Sequence, residues 1–194
     1  MNKSAAIKAF GMTNMLLEAD LDKIERKYQI DLGRRPSQSN KIEGTYFSQF
    51  DTSLKAEAKS MAHHYEVFYC LEKSIRQLIV DVFESNGDEE WWDILVPPVV
   101  KDNVKKSIKR EKEAAVTPRS TEPIDYTTFG ELGEIIKSNW SIFGGAIFND
   151  RKALEKVMSA LNSLRNPIAH CSPLAEDEIL RLDLALRDWF RLIS

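Results

Sequence analysis

The chain has 194 residues, of which 43% are hydrophobic and 29% are charged, and its formal net charge is -3. This length suits one domain, or one domain with a helical extension, and the apolar fraction is sufficient for a buried core. The slightly acidic balance excludes a protein coated with cations for bulk nucleic-acid binding, so any RNA contact must come from a local patch.

Cysteine content and hydropathy argue against two further classes of protein. Cys70 and Cys171 are the only cysteines, so we expect reduced thiols rather than a disulfide framework. The longest apolar runs, such as residues 94–100, are too short to cross a bilayer, and the N-terminus shows no signal-like segment. We therefore expect a soluble cytoplasmic protein that has no membrane partner.

The N-terminal segment predicts a helix with a coiled-coil-like apolar stripe. Two interpretations remain open: the helix packs on its own domain, or it pairs with a helix of another molecule. Unfilled heptads and Gly11 favour the first of these. The residues that share the stripe are Ile7, Phe10, Leu17, Leu21, Ile24 and Tyr28, with polar Asn14 among them.

A change of composition between residues 31 and 51 marks a domain boundary. Gly33, Pro36 and Gly44 lie among serines and asparagines, a mixture that favours turns over periodic structure. We therefore predict an N-terminal helix and linker over residues 1–50, followed by a compact helical domain over residues 51–194.

One long helix is predicted from the N-cap residue Asp51 to the Asn86-Gly87 terminator. Glu72 occupies a position on its apolar stripe, and Arg76 follows one turn later. A carboxylate on an apolar seam must be paired, because desolvation is costly. Glu72 is thus either half of an ordinary Glu-Arg pair or a buried carboxylate that faces a functional site. The stripe consists of Leu54, Ala58, Met61, Tyr65, Phe68, Ile75, Ile79 and Val82.

The next helix is predicted to start near Pro97-Pro98 and to be strongly basic. Between residues 101 and 113 it has six cations and three acids. Such a run is usually a solvated face, and the alternative is a surface that contacts phosphates. The candidate RNA-binding residues on it are Lys105, Lys106, Lys109 and Arg110.

Three more helices follow, each with a start signal. Thr127 or Thr128 caps a helix that runs on to Phe143, Asp150 caps a helix that ends at Arg165, and Ser172-Pro173 opens the last. The last helix is predicted to bury Ile179, Leu182, Leu186, Trp189, Phe190 and Ile193. Since no convincing period-two segment appears, we predict an all-α antiparallel helical bundle with an N-terminal helical extension.

The segment from Arg165 to His170 carries the strongest chemical signal. Arginine stays charged and can bind phosphate with a fork of donors, and histidine has the side-chain pKa closest to neutrality. The pair suits general acid-base chemistry at a phosphodiester. Asn166-Pro167 matches an N-cap followed by a first-turn proline, so we predict a helix break that turns His170 back toward Arg165. The alternative is structural: a C-terminal arginine, a break and a satisfied polar histidine.

Other chemistries find less support in the sequence. The three histidines and two cysteines lack metal-ligand spacing, so we predict no metal site and no cofactor. No Gly-x-Ser-x-Gly elbow is present, and Cys171 points away from His170 on a helical turn, which gives acyl transfer little support.

Residues 161–170 resemble the signature of HEPN domains, an arginine, a polar residue, three more positions and a histidine. Two further segments, in the same order, resemble the Swt-like branch of that superfamily. One is residues 71–79, and the other contains Phe129, Gly130, Leu132, Ile135, Ile136, Trp140 and Phe143. The resemblance covers residues 60–194.

The resemblance implies a bundle of about four helices, often a homodimer in which each motif faces its copy across the two-fold axis. It also implies a metal-independent endoribonuclease. His170 would activate the RNA 2′-hydroxyl or protonate the leaving oxygen, and Arg165 would hold the phosphate. Asn166 would orient the scissile group, and Glu72, with Arg76 beside it, would support Arg165 or His170.

Two functions follow as expectations. The first is an RNase that acts on RNA as a toxin or antiviral-defence effector, controlled by an antitoxin or another defence-system partner. The alternative is a non-catalytic helical module that binds a partner protein or a nucleotide within such a complex. Relatives silenced by nucleotidylation have a tyrosine two residues after the histidine, where this chain has Ser172, so that form of control is not expected.

Overall fold

The computed structural model describes residues 46–87 and 90–193, together with eight isolated positions between Leu17 and Tyr28 that are all helical. Leu17, Leu21, Ile24 and Tyr28 of the predicted stripe are among these helical positions, and Ile7, Phe10 and Asn14 lie outside the described residues. The chain forms two compact units, Met1–Asp51 and Thr52–Ser194. In the first unit, a 3-10 turn spans Phe47–Gln49, and the rings of Phe47 and Phe50 meet edge to face at 6.1 Å.

Helices joined by loops make up the second unit, and no β-strand occurs in the part of the chain that the structure describes. A 3-10 turn at Pro123–Tyr126 precedes the fourth helix. The all-α prediction is therefore confirmed. The helices are α1 (Thr52–Ser85), α2 (Trp91–Leu95), α3 (Pro98–Glu113), α4 (Phe129–Ser138), α5 (Trp140–Phe143), α6 (Arg151–Ala169) and α7 (Glu176–Leu192).

Helix α6 is the centre of the bundle, because it packs against α1, α4 and α7. Only residues 170–175 separate α6 from α7, so these two neighbours form an antiparallel hairpin. The core brings together fully buried side chains from these helices, including Ile75, Phe83, Leu132, Leu161 and Trp189. Burial of such large side chains contributes about 1.5–3 kcal/mol each, which fixes the position of α6 against α1.

Helix boundaries follow the capping signals in several places. Thr128 and Glu131 form a capping box at the start of α4, and the Asp150 carboxylate accepts a hydrogen bond from the Ala153 N–H at 2.8 Å. At the end of α1, Gly87 adopts a φ of +85°, a conformation that glycine tolerates best. The predicted positions of these helix ends are thus confirmed.

The helix predicted to run through Phe143 instead breaks at Asn139. The Asn139 Nδ2 donates to the carbonyl oxygens of Ile135 and Leu95, both at 2.9 Å. Asparagine offers the backbone a local alternative to helical hydrogen bonding. Its amide therefore separates α4 from α5 and connects the break, by a hydrogen bond, to the end of α2.

The last helix also differs from its prediction. It starts at Glu176 rather than at Ser172-Pro173, and only one face of it is buried, through Leu182, Ala185 and Trp189. Three residues predicted to lie in the core are exposed, and two of them stand at the ends of the helix, where Ile179 lies in the first turn and Ile193 follows Leu192. The three are Ile179, Phe190 and Ile193.

The first half of α1 extends beyond the core. None of its residues from Thr52 to Val67 is buried, and Leu54 and Tyr65 are 57% and 58% exposed. The first part of the predicted apolar stripe is therefore not core, and burial begins at Phe68. The point at which α1 meets the bundle is also where the candidate site lies.

Candidate active site

A cavity of about 420 Å³ lies between α1, the end of α6 and the loop before α4. Four cationic side chains and two carboxylates line it, beside a wall of aromatic and aliphatic groups. Arg165 enters from α6, together with Ile168 and Ala169, which lie one turn further along the same helix face. The charged residues are Glu72, Lys73, Arg76, Arg119, Asp125 and Arg165.

Glu72 binds two arginines. Its Oε1 accepts a hydrogen bond from Arg76 Nη2 at 2.5 Å, and its Oε2 lies 3.6 Å from Arg165 Nε. The Glu72 and Arg76 side chains are 15% and 12% exposed, and Arg165 is 33% exposed. Both interpretations of Glu72 therefore hold at once: it forms the local pair on α1 and it faces Arg165.

Arg76 joins α1 to the segment before α4. Its Nε donates to the Ile124 carbonyl at 3.2 Å, and its Nη2 donates to the Thr127 carbonyl at 2.8 Å. These bonds satisfy a guanidinium that is largely withdrawn from water. Arg76 thus holds Glu72 in place, and Glu72 in turn positions Arg165.

A second network fixes the loop that carries Arg119. The Tyr126 hydroxyl donates to Glu111 Oε2 at 2.6 Å, and Arg119 donates to Glu111 through Nε at 3.0 Å and its backbone N–H at 3.1 Å. The Tyr126 hydrogen bond and the bonds from Arg119 lower the pKa of the Glu111 carboxyl, and the same Tyr126–Glu111 bond raises the pKa of the tyrosine. The Arg119 guanidinium also lies over the Tyr126 ring.

Asp125 completes the charged rim of the cavity. Burial alone would raise the pKa of its carboxyl, but hydrogen bonds from Ser120 and Lys73 and the charges of Lys73 and Arg76 outweigh burial and lower it. Lys73 Nζ lies 3.3 Å from Asp125 Oδ1. The carboxylate therefore stays ionised at neutral pH, where it pairs with Lys73 across the gap between α1 and the loop.

The predicted helix break at Asn166-Pro167 is wrong. Helix α6 continues through both residues to Ala169. One more turn buries Ile168 on the helix face that already carries Leu164. Pro167 has no N–H to donate to the carbonyl of Ser163, so the helix continues with the loss of one hydrogen bond, and the burial of Ile168 helps to offset that loss.

The end of α6 is a Schellman turn. The Ser172 N–H donates to the Pro167 carbonyl at 2.8 Å, and the Cys171 N–H donates to the Ile168 carbonyl at 3.4 Å. Cys171 takes the left-handed position with a φ of 55°, where glycine is the usual residue. This turn fixes His170 as the residue at which the helix ends.

Because the helix does not break, Arg165 and His170 do not meet within one chain. Five residues at about 100° each place their side chains about 140° apart around the axis. Arg165 lines the cavity, whereas Asn166 and His170 are exposed and lie one turn apart on another face. His170 therefore presents its imidazole outward, accessible to a second molecule.

The basic residues of α3 do not join this site. Lys105, Lys106, Lys109 and Arg110 lie on α3, and none of them lines the cavity that contains Arg165. Lys109 lies 3.7 Å from Glu113 on the same helix. Their role in RNA binding stays a prediction.

Most residues of the cavity were not identified as site residues from the sequence, among them Tyr65, Tyr69, Lys73 and Arg119. Tyr65 and Tyr69 lie on a helix whose apolar residues indicate packing, and Lys73 and Arg119 have the pattern of isolated surface cations. Only Arg119 had a local signal, because it lies in the turn-rich segment from Thr117 to Asp125, which could carry a side chain toward a ligand. The convergence of these four side chains depends on the packing of α1 against that loop, a long-range contact with no local pattern.

Two other kinds of site do not occur among the described residues. Within residues 46–87, 90–193 and the isolated N-terminal positions, no three His, Cys, Asp or Glu side chains cluster as metal ligands. No helix in these residues combines the length and the apolarity needed to cross a bilayer.

Removing the charge of Glu72 should weaken both the fold and the site. In Glu72→Gln, Arg76 and Arg165 would face each other without a counter-charge in a poorly hydrated place. We expect the free energy of unfolding to fall by about 1–3 kcal/mol, measured by urea denaturation.

The matched control is Glu66→Gln on the same helix. Glu66 is 74% exposed and lies 3.8 Å from His63, so its loss should leave the denaturation midpoint unchanged. If Glu72→Gln unfolds at the same urea concentration as this control, Glu72 does not hold the two arginines together.

Comparison with known proteins identifies one family. A sequence model of the Swt1-like HEPN family matches residues 66–194, about two thirds of the chain. The matched region contains all three segments that carried the sequence resemblance, including Arg165, Asn166 and His170. No curated protein and no solved structure matches the chain.

Proposed function

Because the chain belongs to the Swt1-like HEPN family, we propose that it is a metal-independent endoribonuclease. One observation carries this proposal: Arg165, Asn166 and His170 stand in the family's spacing at the exposed end of α6, with Arg165 positioned by Glu72. A guanidinium anchored on one side and accessible on the other suits an RNA phosphate, which it can bind through a fork of donors.

The proposed chemistry uses the RNA as its own nucleophile. The His170 imidazole accepts the proton of a 2′-hydroxyl while O2′ attacks the neighbouring phosphorus and the P–O5′ bond breaks. The O5′ leaving group takes up a proton, so the products are a 2′,3′-cyclic phosphate and a 5′-hydroxyl. Arg165 stabilises the negative charge that develops on the non-bridging oxygens. Asn166 orients the phosphate from the helix face that it shares with His170.

We propose that two copies of the chain form the complete site. Arg165 and His170 point to different sides of α6. A single copy therefore cannot easily bring both side chains to the same phosphate. HEPN domains often dimerise, and a two-fold arrangement would bring His170 of one copy close to Arg165 of the other. O5′ takes its proton from water in this scheme, so each site needs one His170 and one Arg165.

The decisive experiment incubates the purified protein with single-stranded RNA in EDTA. We expect cleavage to persist, because the proposed reaction needs only protein groups and the 2′-hydroxyl. Product ends should carry 2′,3′-cyclic phosphate, and the same sequence as DNA should remain intact. RNA that stays uncut, or products with 3′-hydroxyl ends, would rule out this mechanism.

The finer biological role is also a proposal. We propose that the RNase acts as a toxin or antiviral-defence effector and is restrained by a partner such as an antitoxin. The alternative is a non-catalytic module that binds a partner protein or a nucleotide. The separation of Arg165 from His170 within one chain favours that alternative if no dimer forms.

A further inference from the structure

Two tyrosines form an exposed platform beside Arg165. Tyr65 and Tyr69 lie one turn apart on α1, with ring centroids 6.2 Å apart and ring planes 38° from parallel. They are 58% and 55% exposed, although both are large and largely apolar. Both line the cavity that also contains Arg165. Large aromatic faces left open next to a charged site are suited to a planar ligand.

Two partly exposed cations lie around this platform. The Lys73 and Arg119 side chains are 52% and 55% exposed, and each is paired with a carboxylate of the protein. Only part of the donors of Lys73 and Arg119 face these carboxylates, so their other exposed N–H groups can bind an incoming phosphate while both pairs stay in place. The cavity therefore offers aromatic faces and phosphate-binding cations together.

We infer that Tyr65 and Tyr69 form a base-stacking subsite for single-stranded RNA, in which an unpaired nucleobase next to the Arg165-bound phosphate lies against the Tyr69 ring. The inference rests on the proposed function, which makes RNA the ligand. Every base has a flat π-face, so stacking accepts an unpaired base without reading its sequence. A base within an A-form duplex is already stacked and cannot reach the platform.

The surroundings of the platform favour RNA over an apolar partner. A helix or second protein chain docked on the tyrosines would have to cover Lys73, Arg119 and Arg165 as well, and burying these cations without new partners is costly. A nucleotide supplies both the ring for the tyrosines and the phosphate for the cations. The cation–π attraction of an arginine for a stacked base adds to the same arrangement.

A second cavity adjoins the first along α1. This cavity, of about 450 Å³, shares Lys73, Arg76 and Asp125 with the first and contains Trp91 and Trp92 at its far end. The two cavities are neighbours along α1 and share a wall of charged side chains, and aromatic side chains line each of them. From Tyr65 to Gln77 the helix rises by about 18 Å, enough for a few nucleotides of extended RNA.

The test measures RNA binding separately from cleavage. A fluorescently labelled single-stranded RNA is titrated with His170→Ala protein, which leaves the RNA intact, and the Kd is read from anisotropy. We expect Tyr69→Ala in this background to weaken binding about tenfold, because base–aromatic stacking is lost. Tyr69→Phe keeps the ring and should bind within about twofold of the parent.

Two further binding measurements separate the stacking contribution from the phosphate contacts. The same RNA annealed to its complement should bind with a Kd that does not depend on Tyr69. Lys73→Gln should reduce the dependence of log Kd on log salt concentration by about one unit, because one phosphate contact is removed. Tyr65 and Tyr69 are exposed, so the variants should melt at the parent temperature.

The outcomes separate this inference from the proposed function. If Tyr69→Ala binds the single strand as tightly as the parent, or if Tyr69→Phe loses as much affinity as Tyr69→Ala, the stacking subsite is refuted. Cleavage by the otherwise wild-type chain is scored independently. Tyr69-dependent binding without cleavage would overturn only the proposed function, whereas cleavage with Tyr69-independent binding would overturn only the subsite.

Discussion

His170→Ala is expected to lower the rate of RNA cleavage by about 10²–10⁴-fold, because general acid-base catalysis by a positioned side chain contributes that much. His170 is exposed at the end of α6, where its side chain is not part of the core. Its removal should therefore leave the melting temperature unchanged. Loss of activity with an intact fold would assign the imidazole to the chemistry rather than to packing.

His63→Ala is the matched control for this experiment. His63 is also exposed, and it lies near Glu66 on the same helix, away from the cavity lining. We expect this variant to cleave RNA at the parent rate, in EDTA as in buffer. In cells, induced expression of the parent chain and of His63→Ala should arrest growth, and His170→Ala should not. Equal cleavage by the parent and His170→Ala would refute the assignment.

The orientation of the motif on α6 could not be predicted from the sequence. Arg165, Asn166 and His170 fall into one motif by their spacing, and family membership supports that grouping. Their directions depend on whether the helix breaks, and Asn-Pro is a frequent helix boundary that here is not one. Burial of Ile168 outweighs the local preference, and a tertiary contact of this kind leaves no local trace in the sequence.

The contacts of Glu72, by contrast, could be anticipated from the local sequence. A carboxylate on an apolar stripe needs a partner, and this requirement left two alternatives open, a local pair with Arg76 or a buried carboxylate that faces the candidate site. The structure supplies both, through contacts to Arg76 and to Arg165. The all-α fold class could also be predicted from the sequence, since it depends on apolar periodicity and on helix capping. The aromatic cavity could not be predicted from the sequence, because it forms where residues 65–76 meet residues 119–125, about fifty positions further along the chain.

Two inactive variants should restore activity when they are combined in one dimer. The expected pair is Arg165→Ala and His170→Ala. Since the two side chains project about 140° apart on α6, a site that uses both would take Arg165 from one copy and His170 from the other. In a heterodimer of the two variants, one of the two sites keeps both side chains. Heterodimers isolated with two affinity tags should therefore cleave RNA at about half the wild-type rate.

The control is each variant as a homodimer with the same tags, which should stay at background because every site lacks one side chain. Recovery of activity in the heterodimer requires both a dimer and a site shared between the two copies. A monomer with full activity would therefore contradict the shared site. A heterodimer as inactive as its parents would show that Arg165 and His170 of one site belong to the same copy. The end of α6 would then have to reorganise when RNA binds, against the Schellman turn that fixes His170.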